Sequence, residues 1–69
     1  MTYYRVSFFK HLLSSDGHPF RCLQQTVEVR RARCPGRAIK AAKRRYERLC
    51  QVPDWRLHAD TVELQAYSA

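Results

Sequence analysis

Between Pro35 and Pro53 the chain has room for one helix, and on both sides of it the sequence alternates with a period of two. Within AIKAAKRRYERLC, Ala38, Ile39, Ala42, Tyr46, Leu49 and Cys50 recur at steps of three and four, which makes one apolar stripe on a helix. Pro35 suits the first turn, where its missing N–H would be unpaired anyway. Cys34 is a poor cap and Gly36 lowers helix propensity. Pro53 disfavours a helical conformation at Val52, so the helix should end near Gln51.

The flanking segments read as strands. In YYRVSFF, residues 3–9, Tyr4, Val6 and Phe8 face one way and Tyr3, Arg5, Ser7 and Phe9 the other. In LQQTVEVRR, residues 23–31, Leu23, Gln25, Val27 and Val29 alternate with Gln24, Thr26, Glu28 and Arg30. TVELQAY, residues 61–67, is a third strand. Residues 14–19, SSDGHP, are turn chemistry, with Gly17 able to take a left-handed conformation and Pro19 interrupting a ladder. That connection is long for a tight hairpin and is expected to be a mobile loop. Trp55, Leu57 and Ala59 alternate in the opposite parity to Val62, Leu64 and Ala66, so a bulge or bend is expected near Asp60–Thr61.

The order strand, strand, helix, strand predicts one α+β domain over residues 1–69. It should be a ββαβ unit whose three-stranded antiparallel-type sheet has strand one central and the helix packed on its inner face. The predicted core is Tyr4, Val6, Phe8, Val27, Val29, Ile39, Ala42, Tyr46, Leu49, Val62 and Leu64, with Trp55 and Leu57 closing one end. A chain of 69 residues buries roughly 60% of its unfolded surface, so this core is thin and dimerisation is one way to stabilise it. A hydrophobic fraction of 45% excludes a disordered chain.

No apolar run approaches the ~20 residues of a membrane span, so no membrane partner is expected. The apolar N-terminus is interrupted by Arg5 and Lys10 and lacks a small-residue cleavage site, so it does not read as a signal peptide. Three cysteines with no CxxC spacing fit a reducing cytoplasm better than a disulfide framework.

The net charge of +7 is concentrated. Nine of the thirteen basic residues lie between Arg30 and Arg48, where Glu47 is the one acid, so this segment carries +8 and the rest of the chain −1. With Ile39 set at zero, the apolar stripe covers roughly 260° to 20°, while Arg37, Lys40, Arg44 and Arg48 fall at roughly 100° to 180°. Lys40, Arg44 and Arg48 are successive like-charged neighbours, and each such pair costs a few tenths of a kcal/mol. Arg37, Lys40, Arg44 and Arg48, widened by Arg30, Arg31 and Arg33, form the candidate nucleic-acid-binding set, because the planar guanidinium pairs well with phosphate oxygens. An acidic protein partner, a second copy of the chain and a merely solvated face are the competing readings. Phosphate contacts position a protein without specifying sequence.

The outer face of the sheet should carry Tyr3, Arg5, Ser7, Phe9, Glu28, Arg30, Glu63 and Tyr67. Arginines and aromatics on an open sheet can stack bases. Pairing of Arg5 or Arg30 with Glu28 or Glu63 is the expectation here, because two acids spoil a phosphate-facing surface.

The segment AIKAAKRRYERL resembles the last helix of double-stranded RNA-binding domains, which present lysines near that helix's start. In that family the helix follows three strands and ends the domain, whereas here a strand follows it. The whole chain, through SFFKHLLSSDGHPF and DWRLHADTVEL, is similar to a group of short basic proteins of alphaproteobacteria. That resemblance implies a bacterial cytoplasm and no particular activity.

No catalytic or metal-binding set emerges. His18 and Cys22 have the closest ligand spacing but sit in a turn region, and zinc sites supply ligands in close pairs. Cys34 precedes a helix with no histidine near it, Cys50 lies on the apolar stripe, and no glycine loop cradles phosphate. No cofactor is implied, and a thin core leaves little room for a substrate pocket. The expected function is therefore accessory nucleic-acid binding by a non-enzyme.

Overall fold

Aromatic and branched side chains at alternate positions suit a half-buried pleated surface. The computed structural model, which describes residues 2–68, places β1 at Thr2–Leu13 and β2 at Pro19–Val29. The helix α1 follows at Pro35–Cys50, then a single 3-10 turn at Trp55–Leu57, then β3 at Thr61–Ser68. The sheet order is β2-β1-β3 with both pairings antiparallel, so β2 and β3 run parallel and α1 carries the chain from one edge to the other. The predicted α+β class, ββαβ order and central first strand are all present.

The inner face is built from β1 outward. Tyr4 lies opposite Val29 and Ala66, Val6 opposite Val27 and Leu64, and Phe8 opposite Gln25 and Val62. Ala38, Ala42 and Tyr46 of α1 lie over this face and are buried with Val6, Phe8, Val27 and Val29. Small residues at Ala38 and Ala42 let the helix approach the sheet closely. Phe8 is the centre of the packing. Its ring stacks on Tyr46 at 4.1 Å between centroids and takes the edge of Trp55 at 5.8 Å. Burial of a ring of this size is worth ~1.5–3 kcal/mol.

Several expectations are corrected. The hairpin connection is not a long loop, because pairing continues from Phe9–Leu23 out to Leu13–Pro19 and leaves only residues 14–18 as the turn. The Ser14 N–H donates to the His18 carbonyl at 2.9 Å, the Gly17 N–H to the Ser14 carbonyl at 2.9 Å, and the His18 N–H to Ser14 Oγ at 3.0 Å. Gly17 takes φ +87, the left-handed position that the Asp-Gly pair supplies. Pro19 begins β2, where a missing donor is tolerated.

The register slips between Phe8–Gln25 and Phe9–Leu23, which leaves Gln24 as an extra residue in β2. A one-residue slip moves side chains to the opposite face. Leu23, expected beside Val27 and Val29, therefore pairs with outward-facing Phe9 and is 54% exposed. No second bulge is needed at Asp60–Thr61. The parity conflict disappears because Trp55 and Leu57 belong to a 3-10 turn, whose N-cap Asp54 accepts from the Arg56 N–H. The Asp60 N–H then donates to the Phe9 carbonyl at 2.8 Å, and Asp60 Oδ2 accepts from the His11 N–H at 2.7 Å, where β3 joins β1.

Leu49 and Leu57 are not core residues, at 61% and 63% exposed, and Ile39 is half-buried. Ala38 and Ala59 take places in the core that the sequence reading left empty. The helix ends as expected, with Gln51 in a left-handed conformation at φ 55 and its N–H directed back to Arg48 and Glu47 carbonyls. No helix among the described residues is long and apolar enough to cross a membrane.

Candidate anion-binding surface

The entry to α1 is electrostatically bare. Cys34 has extended geometry and makes no side-chain cap, Pro35 brings no N–H, and the first turn holds no acid. The helix dipole therefore adds positive potential to an end already surrounded by arginines.

Arg37, Lys40, Arg44 and Arg48 are all exposed along α1, on the side away from the sheet, as the helical spacing requires. Arg31 and Arg33 are exposed in the segment between β2 and α1. Arg30 is differently placed. It lies over the Tyr3 ring at 5.8 Å, and its Nε pairs with Glu28 Oε1 at 2.6 Å, which ties it to the outer face of the sheet.

The helix ridge divides the predicted patch. On the β2 side, Arg30, Arg31, Arg33, Arg37 and Arg45 line one groove of about 740 Å³, with Val29, Ala32 and Ala41 supplying apolar surface. Glu28 is the one acid lining it. Its carboxylate is shared between Arg30 and Arg5, the latter at 3.8 Å, and its carbonyl accepts from Arg45 Nη1 at 2.7 Å. Arg45 was outside the expected set. Its position roughly 240° round the wheel, towards β2, was the signal for it.

On the opposite side, Lys40, Lys43 and Arg44 share a groove of about 470 Å³ with Glu47, Asp54, Trp55 and Arg56. This side is mixed in sign. Lys43 Nζ stands 5.0 Å from the Trp55 ring centre, and Glu47 Oε2 accepts from the Trp55 N–H at 3.0 Å. Arg56 holds Asp54 through Nη2 at 2.8 Å, and that contact lowers the Asp54 pKa and raises that of Arg56. Arg48 sits farther along α1, beside Arg44, Glu47, Gln51 and Val52.

The outer face of the sheet is closed among its own side chains. Glu28 takes both Arg5 and Arg30, and Glu63 takes Arg21 rather than either of them. Tyr3 and Tyr67 stack at 5.3 Å, Arg5 covers Tyr67 and Arg21 covers Phe9. These rings already have cationic partners, which leaves little open platform for bases.

His18 pairs with Asp16 at 2.9 Å, and hydrogen bonds from Ser14 and then His18 lower the Asp16 pKa. The Cys22 thiol is directed to the Leu23 carbonyl instead. Among the described residues no three His, Cys, Asp or Glu side chains gather as a metal site, and all three cysteines are free. Comparison with protein families, curated proteins and solved structures finds no match for this chain.

Proposed function

We propose that this chain is a small accessory nucleic-acid-binding protein that grips phosphates with Arg31, Arg33, Arg37, Lys40, Arg44 and Arg48. One observation carries the reading. Four of the six carboxylate side chains are paired with cations outside this set, Asp16 with His18, Glu28 with Arg5 and Arg30, Asp54 with Arg56 and Glu63 with Arg21, while Asp60 and Glu47 accept backbone N–H groups and Glu47 alone lies on α1. Among the described residues, none of the basic side chains from Arg31 to Arg48 has a carboxylate within ion-pair distance. A face that keeps like charges adjacent on a helix, at a cost in stability, is supported best by a polyanionic partner that repays it.

The mechanism is electrostatic, with counterion release and little sequence discrimination. No catalytic step is part of this reading, and free thiols suit a cytoplasmic setting. The test is fluorescence anisotropy with duplex DNA, duplex RNA and single-stranded RNA at 50 and 200 mM salt. Neutralising four or five phosphates should weaken binding by about two to three decades over that range. Arg44→Glu with Arg48→Glu should remove most of the affinity. Absence of binding to all three at 50 mM would overturn the reading and leave an acidic protein or a second copy as the partner to seek.

A further inference from the structure

The two sides of α1 are built for different tasks. Lys40, Arg44 and Arg48 space about one charge per turn along α1, which suits a passing backbone. The β2-side groove gathers arginines around a concavity of about 740 Å³, within the range of a small-ligand site. We infer that this groove seats a terminal phosphate monoester on a nucleic-acid strand, a reading that rests on the function proposed above.

The argument is one of charge and oxygen count. An internal phosphodiester brings one negative charge and must enter and leave the site along the strand. A terminal monoester brings about −1.5 to −2 at neutral pH and three strong acceptor oxygens, and it needs only one way in. Three groove arginines, Arg31, Arg33 and Arg37, are free of carboxylate partners among the described residues. Their forks can each take phosphate oxygens in paired fashion. Arg30, with Arg5, neutralises the Glu28 carboxylate, the one acid in the wall, and Arg45 is anchored on the Glu28 backbone carbonyl. The apolar surface of Val29, Ala32 and Ala41 gives the attached sugar or base something to lie against.

The test compares three versions of one single-stranded oligonucleotide: 5′-phosphorylated, 3′-phosphorylated and unphosphorylated. The expected result is at least about tenfold tighter binding of one or both phosphorylated forms, a difference equal to about 1.4 kcal/mol. Arg33→Ala with Arg37→Ala should bring the phosphorylated and unphosphorylated forms to equal affinity, on top of the general weakening that loss of two cations gives. Arg44→Ala with Arg48→Ala should weaken all three together and keep the preference. All four positions are exposed, so circular dichroism and melting should confirm an intact fold. Equal binding of the three oligonucleotides by the native protein overturns this inference and leaves the proposed function standing. Binding of none overturns both. Preference for a phosphorylated peptide over every oligonucleotide would likewise overturn both and assign the groove to a protein partner.

Discussion

The β1–β2 ribbon has two halves made of similar residues with opposite fates. In the half under α1, Val6, Phe8, Val27 and Val29 are almost wholly buried. In the half beyond Phe9, Leu13 is 73% exposed and Phe20 46%. Hydrophobicity does not separate them; length does. A strand of 12 residues spans about 40 Å, whereas a 16-residue helix spans about 24 Å, so the helix runs out before the hairpin does. β3 stops pairing at Phe9 as well, so the outer half is a bare two-stranded ribbon, a structure only marginally stable on its own. Burial follows cover, and the core lies where three elements overlap.

Truncation breaks the comparison most directly. Phe8→Ala removes the ring between Tyr46 and Trp55 and should cost about 3–5 kcal/mol, enough to unfold much of a small domain. Phe20→Ala in the outer half should cost less than about 1 kcal/mol. Urea titration of both variants checks this, and equal losses would mean that the outer half is packed after all. Amide exchange sharpens the same contrast, since residues 4–8 should open only with global unfolding and residues 20–23 well before it.

A smaller effect comes from Tyr46, whose hydroxyl burial, and then the neighbouring Cys50 thiol, push up to about 12 from 10.0. The raised value means that the folded state holds this proton more tightly than the unfolded state. The stabilisation is complete below pH 10 and is lost as the pH rises towards 12, by at most about 3 kcal/mol. Tyr46→Phe should flatten that part of the alkaline profile relative to the native protein. An unchanged slope would show that the hydroxyl is not held in the covered half.

The smallest change concerns where the cover ends. Gln51 occupies a left-handed conformation that costs a side-chain-bearing residue energy. Gln51→Gly should stabilise the protein by roughly 0.5–1 kcal/mol, read as a raised Tm. A loss of stability would indicate that the Gln51 side chain, rather than the turn, holds the helix end.

Much of this was legible locally. Tyr4, Val6 and Phe8 declare a strand by their period, and Ala38 to Cys50 a helix by theirs. Pro35 and Pro53 mark its ends. The candidate site was half legible. Arg37, Lys40, Arg44 and Arg48 follow from helical geometry, but the division of the patch into an arginine groove and a mixed groove does not. Arg45 joins the first because β2 lies beside it, and Lys43 joins the second because the 3-10 turn brings Trp55 to it. Both neighbours are distant in sequence. Leu23 was misassigned because a bulge at Gln24 has no reliable local signature. Leu49 sits on the apolar stripe by angle yet lies in the last turn, where cover has run out.

The sequence by itself determined the element order, the central inner-facing triad of β1 and the location of the charge, because short-range sterics and periodicity act within a few residues. Tertiary structure decided which apolar residues are covered, which carboxylates are spent on which arginines, and which guanidiniums face one another across a groove. Those depend on element lengths and on lateral packing between segments far apart in the chain, and no local pattern carries that information.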